Sequence, residues 1–411
     1  MNRAVAWSAI EAVAAALFSA VAAFAIARIA GPAELGIGSA AVSVHVLLWV
    51  AVNGLFADAL AQAERVGETV AGGAWRASVA LGCLAALVQA GSGWALSAAF
   101  DDPRLIAMSL LLALPLPLVG AGGARQGMLT RARAYRRLAL RTLFGQGTGA
   151  VCGIALAWAG YGAWALVAQQ TIASALGACI LLIGWRPEPS GSWGGVAALL
   201  RVGLPLTAST LTQIGRYRLF VLLIGASAGP EALGQVHIAF RLVDTVKETV
   251  FTALWRLMLP ALAEHSRDPV AMLARVDLFL RRSAAATMPL CAALAMALPS
   301  VVAALFGPVW QPAGIAALPL VGLMALLALM FPSGVALVAA GQAHFTLYAN
   351  LAGLTATVLF ALIARPTDAW GAVMVWCSAQ VFVTPYALWT NGRALRVGPL
   401  RPLTGALLRK I

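Results

Sequence analysis

Of 411 residues, 61% are hydrophobic and only 10% are charged, with a mean hydropathy of +0.88. A soluble domain averages about 25% charged residues, so water could not solvate this surface and the chain reads as an all-α polytopic membrane protein. The formal net charge of +13 would suit a nucleic-acid partner, but the placement of the basic residues excludes that reading.

A bilayer core of about 30 Å takes roughly 20 apolar residues per helix, and the chain offers about 12 such runs. In the first half they cover 5–30, 36–62, 74–100, 105–128, 138–160 and 163–185; in the second, 203–227, 232–260, 281–306, 312–340, 343–365 and 368–392. The connections are short and rich in Gly, Pro and charge, as in "FDDPRL" and "RPEPSGSWGG". The first run has the Arg3 and small residues of a signal peptide, but it leads straight into a turn that recurs later, so it is taken as the first transmembrane helix. The five cysteines all fall in apolar runs without metal-ligand spacing. They read as small core residues, and no cofactor or metal is implied.

The recurring turn is GPAELG, Gly31 to Gly36, which returns as GPEALG, Gly229 to Gly234. Gly-Pro continues a helix poorly, because Pro lacks the N–H and restricts the residue before it. Glu34 and Glu231 then suit the first turn of the next helix. Each copy therefore closes one span and opens another, and six helices followed by six in the same order predicts two lobes with pseudo-two-fold symmetry. The expected lobes are 1–190 and 191–411, the second ending in a short basic cytoplasmic tail.

Basic residues set orientation, since loops on the cytoplasmic side collect Lys and Arg. Twenty of the 28 fall on one side of the predicted spans, among them Arg3, Arg65, Arg125, Arg141, Arg267 and Lys410, against Arg28, Arg104 and Arg365 on the other. The N- and C-termini are thereby predicted to be cytoplasmic. Most of the 13 tryptophans lie near span ends, as an interfacial belt would. Pro115, Pro117, Pro332 and Pro385 are candidates for bending their spans.

The remaining five cations lie within two adjacent spans. Arg216 and Arg218 sit near the middle of the seventh; Arg241, Lys247 and Arg256 are in the eighth, where His237, Arg241, Asp244 and Glu248 recur at helical spacing as one polar stripe. Charge at bilayer depth is costly and marks functional sites. Arg216, Arg218, Arg241, Lys247 and Arg256 are therefore candidates for binding a phosphate-bearing substrate, since Arg offers a two-pronged fork to phosphate oxygens and Lys a point charge. Asp244 and Glu248 are candidates for taking a coupling ion, with Glu11 and Asp58 in the first half. The simpler reading is that the charges of the eighth span only pair with one another along the helix. His45, Trp49 and Asn53 share a face of the second span and read as an internal polar contact.

The runs "ARIAGPAELGIGSAAVSV", "NGLFADALAQAERV", "LTRARAYRRLALRTL" and "GYGAWALVAQQ", followed by "AGPEALGQVHIAFRLVD" and "SAAATMPLCAALAMALPSVVAALFGPVWQPA", resemble polysaccharide-export flippases. These are Wzx-type members of the multidrug/oligosaccharidyl-lipid/polysaccharide (MOP) transporter superfamily. The resemblance implies a MATE-like two-lobed fold in the bacterial cytoplasmic (inner) membrane. It also implies a flippase, not an enzyme, that carries undecaprenyl-diphosphate-linked oligosaccharide from the cytoplasmic to the outer leaflet by alternating access, for export of O-antigen, capsule or exopolysaccharide. Coupling to H⁺ or Na⁺ and a polysaccharide polymerase as partner follow from the same resemblance. The alternatives are a MATE-like multidrug/ion antiporter, which should prefer an acidic cavity, and a polytopic glycosyltransferase or polymerase. For the latter, the outer loops are short and offer only Asp101, Asp102 and Asp368.

Overall fold

The computed structural model describes residues 3–63, 67–186, 194–265, 268–341 and 344–394. Arg65, Arg267, Arg396, Arg401, Arg409 and Lys410 of the orientation count, and the basic tail, lie outside them. The described chain is helical: α1 (Arg3–Ala30), α2 (Pro32–Gln62), α3 (Glu68–Phe100), α4 (Arg104–Ala113), α5 (Leu116–Arg131), α6 (Tyr135–Trp158), α7 (Trp164–Leu182), α8 (Gly194–Ala263), α9 (Pro269–Phe306), α10 (Gln311–Ala339), α11 (His344–Ala364) and α12 (Ala369–Ala394). Hydrocarbon cannot hydrogen-bond exposed backbone, and helices satisfy theirs internally. Eight stretches among the described residues are long and apolar enough to cross a bilayer.

The elements match the twelve expected spans once two are regrouped. Leu114 and Pro115 interrupt the fourth span, so it appears as α4 and α5 in one apolar stretch, Arg104–Arg131. The seventh and eighth spans run on as α8, whose 70 residues bend at Gly229. A straight helix of that length would reach about 105 Å at 1.5 Å per residue, and the bend divides it into two arms of span length. The ninth helix differs from expectation. It begins at Pro269, more than three turns ahead of residue 281, with the Asp268 carboxylate accepting from the N–H groups of Val270 (3.0 Å) and Ala271 (3.1 Å). This is an Asp N-cap followed by Pro at the first helical position.

Two compact units are present, Met1–Gly234 and Gln235–Ile411. In the first, α6 packs on α1 and α7, while α5 packs on α2 and α3; the beginning of α8 adds Val196 and Leu199 to a core with Phe56, Leu60 and Ala74. In the second, α9 packs on α10 and α11 on α12. Met258, Leu262, Met272 and Val276 meet Val335 and Ala336 there. Large apolar side chains such as Leu17, Leu87, Leu257 and Ile363 are exposed, as the lipid-facing surface of a membrane helix requires.

The repeated turn has the same backbone in both copies: Gly31 at φ 82°, ψ 171° and Gly229 at φ 83°, ψ 172°. L side chains rarely adopt this positive-φ conformation. Gly307, before Pro308, adopts it too (φ 100°, ψ 167°), so the conformation alone belongs to Gly-Pro rather than to the repeat. What distinguishes the two copies is that they touch reciprocally. A Cβ on Gly36 would overlap the carbonyl of Pro230, and one on Gly234 would overlap the carbonyl of Pro32. The closing glycine of each turn is the surface on which the other turn's proline rests.

Beside this contact, Glu34 ties together the connections at one end of the first unit. It accepts a fork from Arg104 (Nη1 to Oε2 3.2 Å, Nη2 to Oε1 3.0 Å) and the N–H of Ala163 at 2.7 Å. Arg104 also grips Asp102 through Nε (3.1 Å) and Nη2 (2.8 Å), and its backbone N–H donates to the same carboxylate at 2.9 Å. The Arg104 side-chain hydrogen bonds hold the buried Asp102 carboxyl below its ordinary value of 3.8, with burial opposing them. A carboxylate whose folded-state pKa is depressed stabilises the fold above its unfolded pKa and loses that contribution as pH falls through the folded value. Asp102→Asn is accordingly expected to lower the thermal midpoint in detergent at pH 7. The gap from the parent should stay constant down to about pH 4 and shrink only below it; a gap that does not depend on pH would remove the ionic account of this cluster.

Candidate functional site

In α6, "YRRLALRTLFGQGTGAVCG", Gly145, Gly149 and Gly153 recur every fourth residue. A Cβ on Gly145 or Gly149 would press against the carbonyls of Ala173 or Gln169 in α7, so the two backbones lie closer than larger residues would permit. That approach sets Arg141, Thr142 and Gln146 of α6 beside Gln169, Gln170 and Ser174 of α7, around a cavity of about 180 Å³. Trp49 and Asn53 of α2 join the wall, with Ser19 of α1 and Val119 of α5.

Charge on this wall is matched across the chain. Glu11 of α1 stands 3.5 Å from the Arg141 guanidinium and accepts from Thr142 Oγ1 at 2.9 Å; Arg141 donates in addition to Gln126 Oε1. Ser174 Oγ is shared by Gln170 Nε2 at 3.4 Å and His45 Nε2 at 3.2 Å. Arg141, counted above only toward orientation, lies two turns into α6, its side chain only 20% exposed, against a carboxylate. Its position four residues beyond Arg137, one turn deeper into an apolar run, was the available sequence signal. Of the face formed by His45, Trp49 and Asn53, His45 makes the internal contact, and the other two line the cavity.

The charges of α8 are disposed in two groups. In the first unit, Arg216 and Arg218 are half-buried. Two residues apart, they point to different faces of the helix. Arg218 Nη1 reaches Ser43 Oγ at 3.5 Å, and its guanidinium carbon lies 5.5 Å from the Tyr217 ring centroid. In the second unit His237, Arg241 and Asp244 are half-buried, Lys247 is ion-paired with Asp244 one turn back, and Glu248 and Arg256 are exposed. An edge-on contact between Phe240 and Trp376, with centroids 5.1 Å apart, holds this arm to α12. Asp58 is exposed near the end of α2. Among the described residues no three His, Cys, Asp or Glu side chains are grouped to hold a metal ion.

Eight apolar stretches of membrane-crossing length and charges paired within the chain define the class as an all-helical polytopic membrane protein. The family model described as "Polysaccharide biosynthesis protein" matches residues 25–314, and the chain belongs to that family. The succinoglycan biosynthesis transport protein ExoT of Rhizobium meliloti (strain 1021) is 24% identical over 305 residues, 73% of this chain. The chain spans 60% of that relative's length. Among solved structures, the lipid II flippase MurJ in an inward closed conformation superposes with a TM-score of 0.75 at 10% identity, covering 97% of this chain and 90% of MurJ. An inward-facing multidrug resistance MATE family transporter of the MOP superfamily gives a TM-score of 0.64 at 14% identity, covering 96% of this chain and 99% of its own. At these identities the likeness establishes the fold.

The Glu11–Arg141 pair generates a directional prediction. Removing one member strands the other's charge, whereas removing both does not. Arg141→Ala is expected to destabilise the protein by about 1–3 kcal/mol, and Glu11→Ala/Arg141→Ala by less, as read from denaturation in detergent. A double variant as unstable as the sum of the single ones would mean that the two side chains do not interact.

Proposed function

We propose that this chain is a flippase that moves an undecaprenyl-diphosphate-linked oligosaccharide from the cytoplasmic to the outer leaflet by alternating access. Polysaccharide export is the process it serves. The observation that carries the reading is the family match across residues 25–314; a curated relative with a transport role in succinoglycan biosynthesis and a fold shared with a lipid II flippase support it. The physical task fits the residues. A diphosphate leaving the headgroup region loses its water, and guanidinium groups at bilayer depth replace that hydration with directed, charge-assisted hydrogen bonds.

In this reading Arg216, Arg218, Arg241, Lys247 and Arg256 serve the diphosphate, and Asp244, Glu248, Glu11 or Asp58 takes the H⁺ or Na⁺ that drives return of the empty carrier. The pairing of Lys247 with Asp244 supports this reading, since an ion taken by that carboxylate competes with the Lys247 cation. The lobes of this carrier are 1–190 and 191–411, and both termini face the cytoplasm. It acts as a transporter and not as an enzyme, handing the flipped lipid to a polysaccharide polymerase.

Cells whose only copy of the transporter carries Arg216→Ala or Arg241→Ala are expected to lose most surface polysaccharide, with the protein still present in the membrane fraction at parental level. Lys at either position should restore part of the export, because a point charge replaces the fork. Undiminished export by both Ala variants would remove the proposed diphosphate site.

A further inference from the structure

The cavity between α2, α6 and α7 has a chemistry different from that of the cationic arms of α8. Arg141 is the one ionisable side chain among the residues lining it, and Glu11 balances that charge from behind. The remaining polar wall is amide and hydroxyl: Asn53, Gln146, Gln169 and Gln170, with Ser19, Thr142 and Ser174. A carboxamide presents donors and acceptors side by side, as does a vicinal pair of sugar hydroxyls. Gln169 Oε1 is buried and has no hydrogen-bond partner among the described residues, an acceptor left over after the helices have packed. Unsatisfied buried acceptors are costly and call for an explanation. Trp49 adds the one aromatic surface of the wall, an apolar plate against which the C–H face of a pyranose can lie.

From this wall we infer that the cavity is a subsite for one neutral sugar ring of the transported glycan, an inference that rests on the flippase reading. A phosphate would require cation in excess of carboxylate, and the Glu11–Arg141 pair leaves none. A metal ion would require carboxylates on the wall, and the lining residues include none. The volume of about 180 Å³ falls below the roughly 300–1,000 Å³ of pockets that enclose drug-sized ligands, so it takes a monosaccharide unit rather than the whole oligosaccharide. The division of labour is physical: diphosphate to the guanidinium groups of α8, hydroxyls to the amides of α6 and α7. Discrimination among glycans then resides in the amide wall, where a missing or misplaced hydroxyl leaves a buried amide unpaired.

The test uses the full chain in lipid nanodiscs and two probes, undecaprenyl diphosphate and undecaprenyl diphosphate carrying one glucose. The sugar-bearing lipid is expected to bind about tenfold more tightly. Gln169→Leu and, separately, Gln170→Leu, each checked for folding by thermal unfolding, should bring its affinity down to that of the bare lipid. Equal binding of the two lipids by the parent, or a preference undiminished in both folded variants, overturns the sugar assignment and leaves the flippase reading standing. Binding of neither lipid overturns that reading and the sugar assignment together. Displacement of the sugar-bearing lipid by methyl glucoside at equal concentration would make the ligand a free sugar and overturn the lipid-linked assignment.

Discussion

A bilayer core has no hydrogen bonds to offer, and the rest of this structure follows from that deficit. Backbone polar groups are therefore closed into helices, and those helices approach through glycine so that dispersion replaces the missing hydrophobic drive. Side-chain charge is met by charge from elsewhere in the chain: Glu11 with Arg141, Glu34 and Asp102 with Arg104, Asp244 with Lys247. These pairs sit at different places and do different work. The Glu34–Arg104–Asp102 cluster fastens connections at one end of the first unit, while Glu11–Arg141 keeps a polar cavity electrically neutral. Neutrality is what makes that cavity suited to hydroxyls rather than to phosphate.

The twice-written turn is a second consequence. A helix that must stop at the membrane edge and restart needs a residue tolerant of positive φ followed by one that cannot continue the ladder, and Gly-Pro supplies both. The third instance at Gly307–Pro308 shows that this conformation comes with the dipeptide. Its reciprocal use at Gly36 against Pro230 and Gly234 against Pro32 does not. That mutual seating leaves no room for a side chain at either glycine.

Hydropathy made most of the helical architecture legible, because lipid selects for apolar length directly. It read boundaries poorly wherever basic residues lie on a helix. The expected ninth span starts at 281 and leaves out Arg275, although Asp268 and Pro269 carry the local start signal for α9 and the structure begins the helix there. The pairing of Asp244 with Lys247 was legible because it is local, three residues along one helix. The cavity was not. Glu11 and Arg141 are 130 residues apart in sequence, and counting Arg141 toward membrane orientation concealed its carboxylate partner. Gln169 and Gln170 carry no charge and no motif, and they become a wall only once the glycines of α6 draw the two backbones together.

The chain belongs to the family described as polysaccharide biosynthesis protein and shares its fold with a lipid II flippase; under the proposed function, the arrangement of charge and amide lets one carrier handle a substrate that is part phosphate and part sugar. The most direct test of that account is a leaflet assay. The purified protein is reconstituted into liposomes whose inner leaflet alone carries a fluorescent undecaprenyl-diphosphate-linked disaccharide, and the label exposed to an external, membrane-impermeant quencher is followed with time. The account predicts progressive exposure that requires the protein and slows when Arg216 is replaced by Ala. Label that stays protected at the protein-free rate, with the protein folded and inserted, would contradict it.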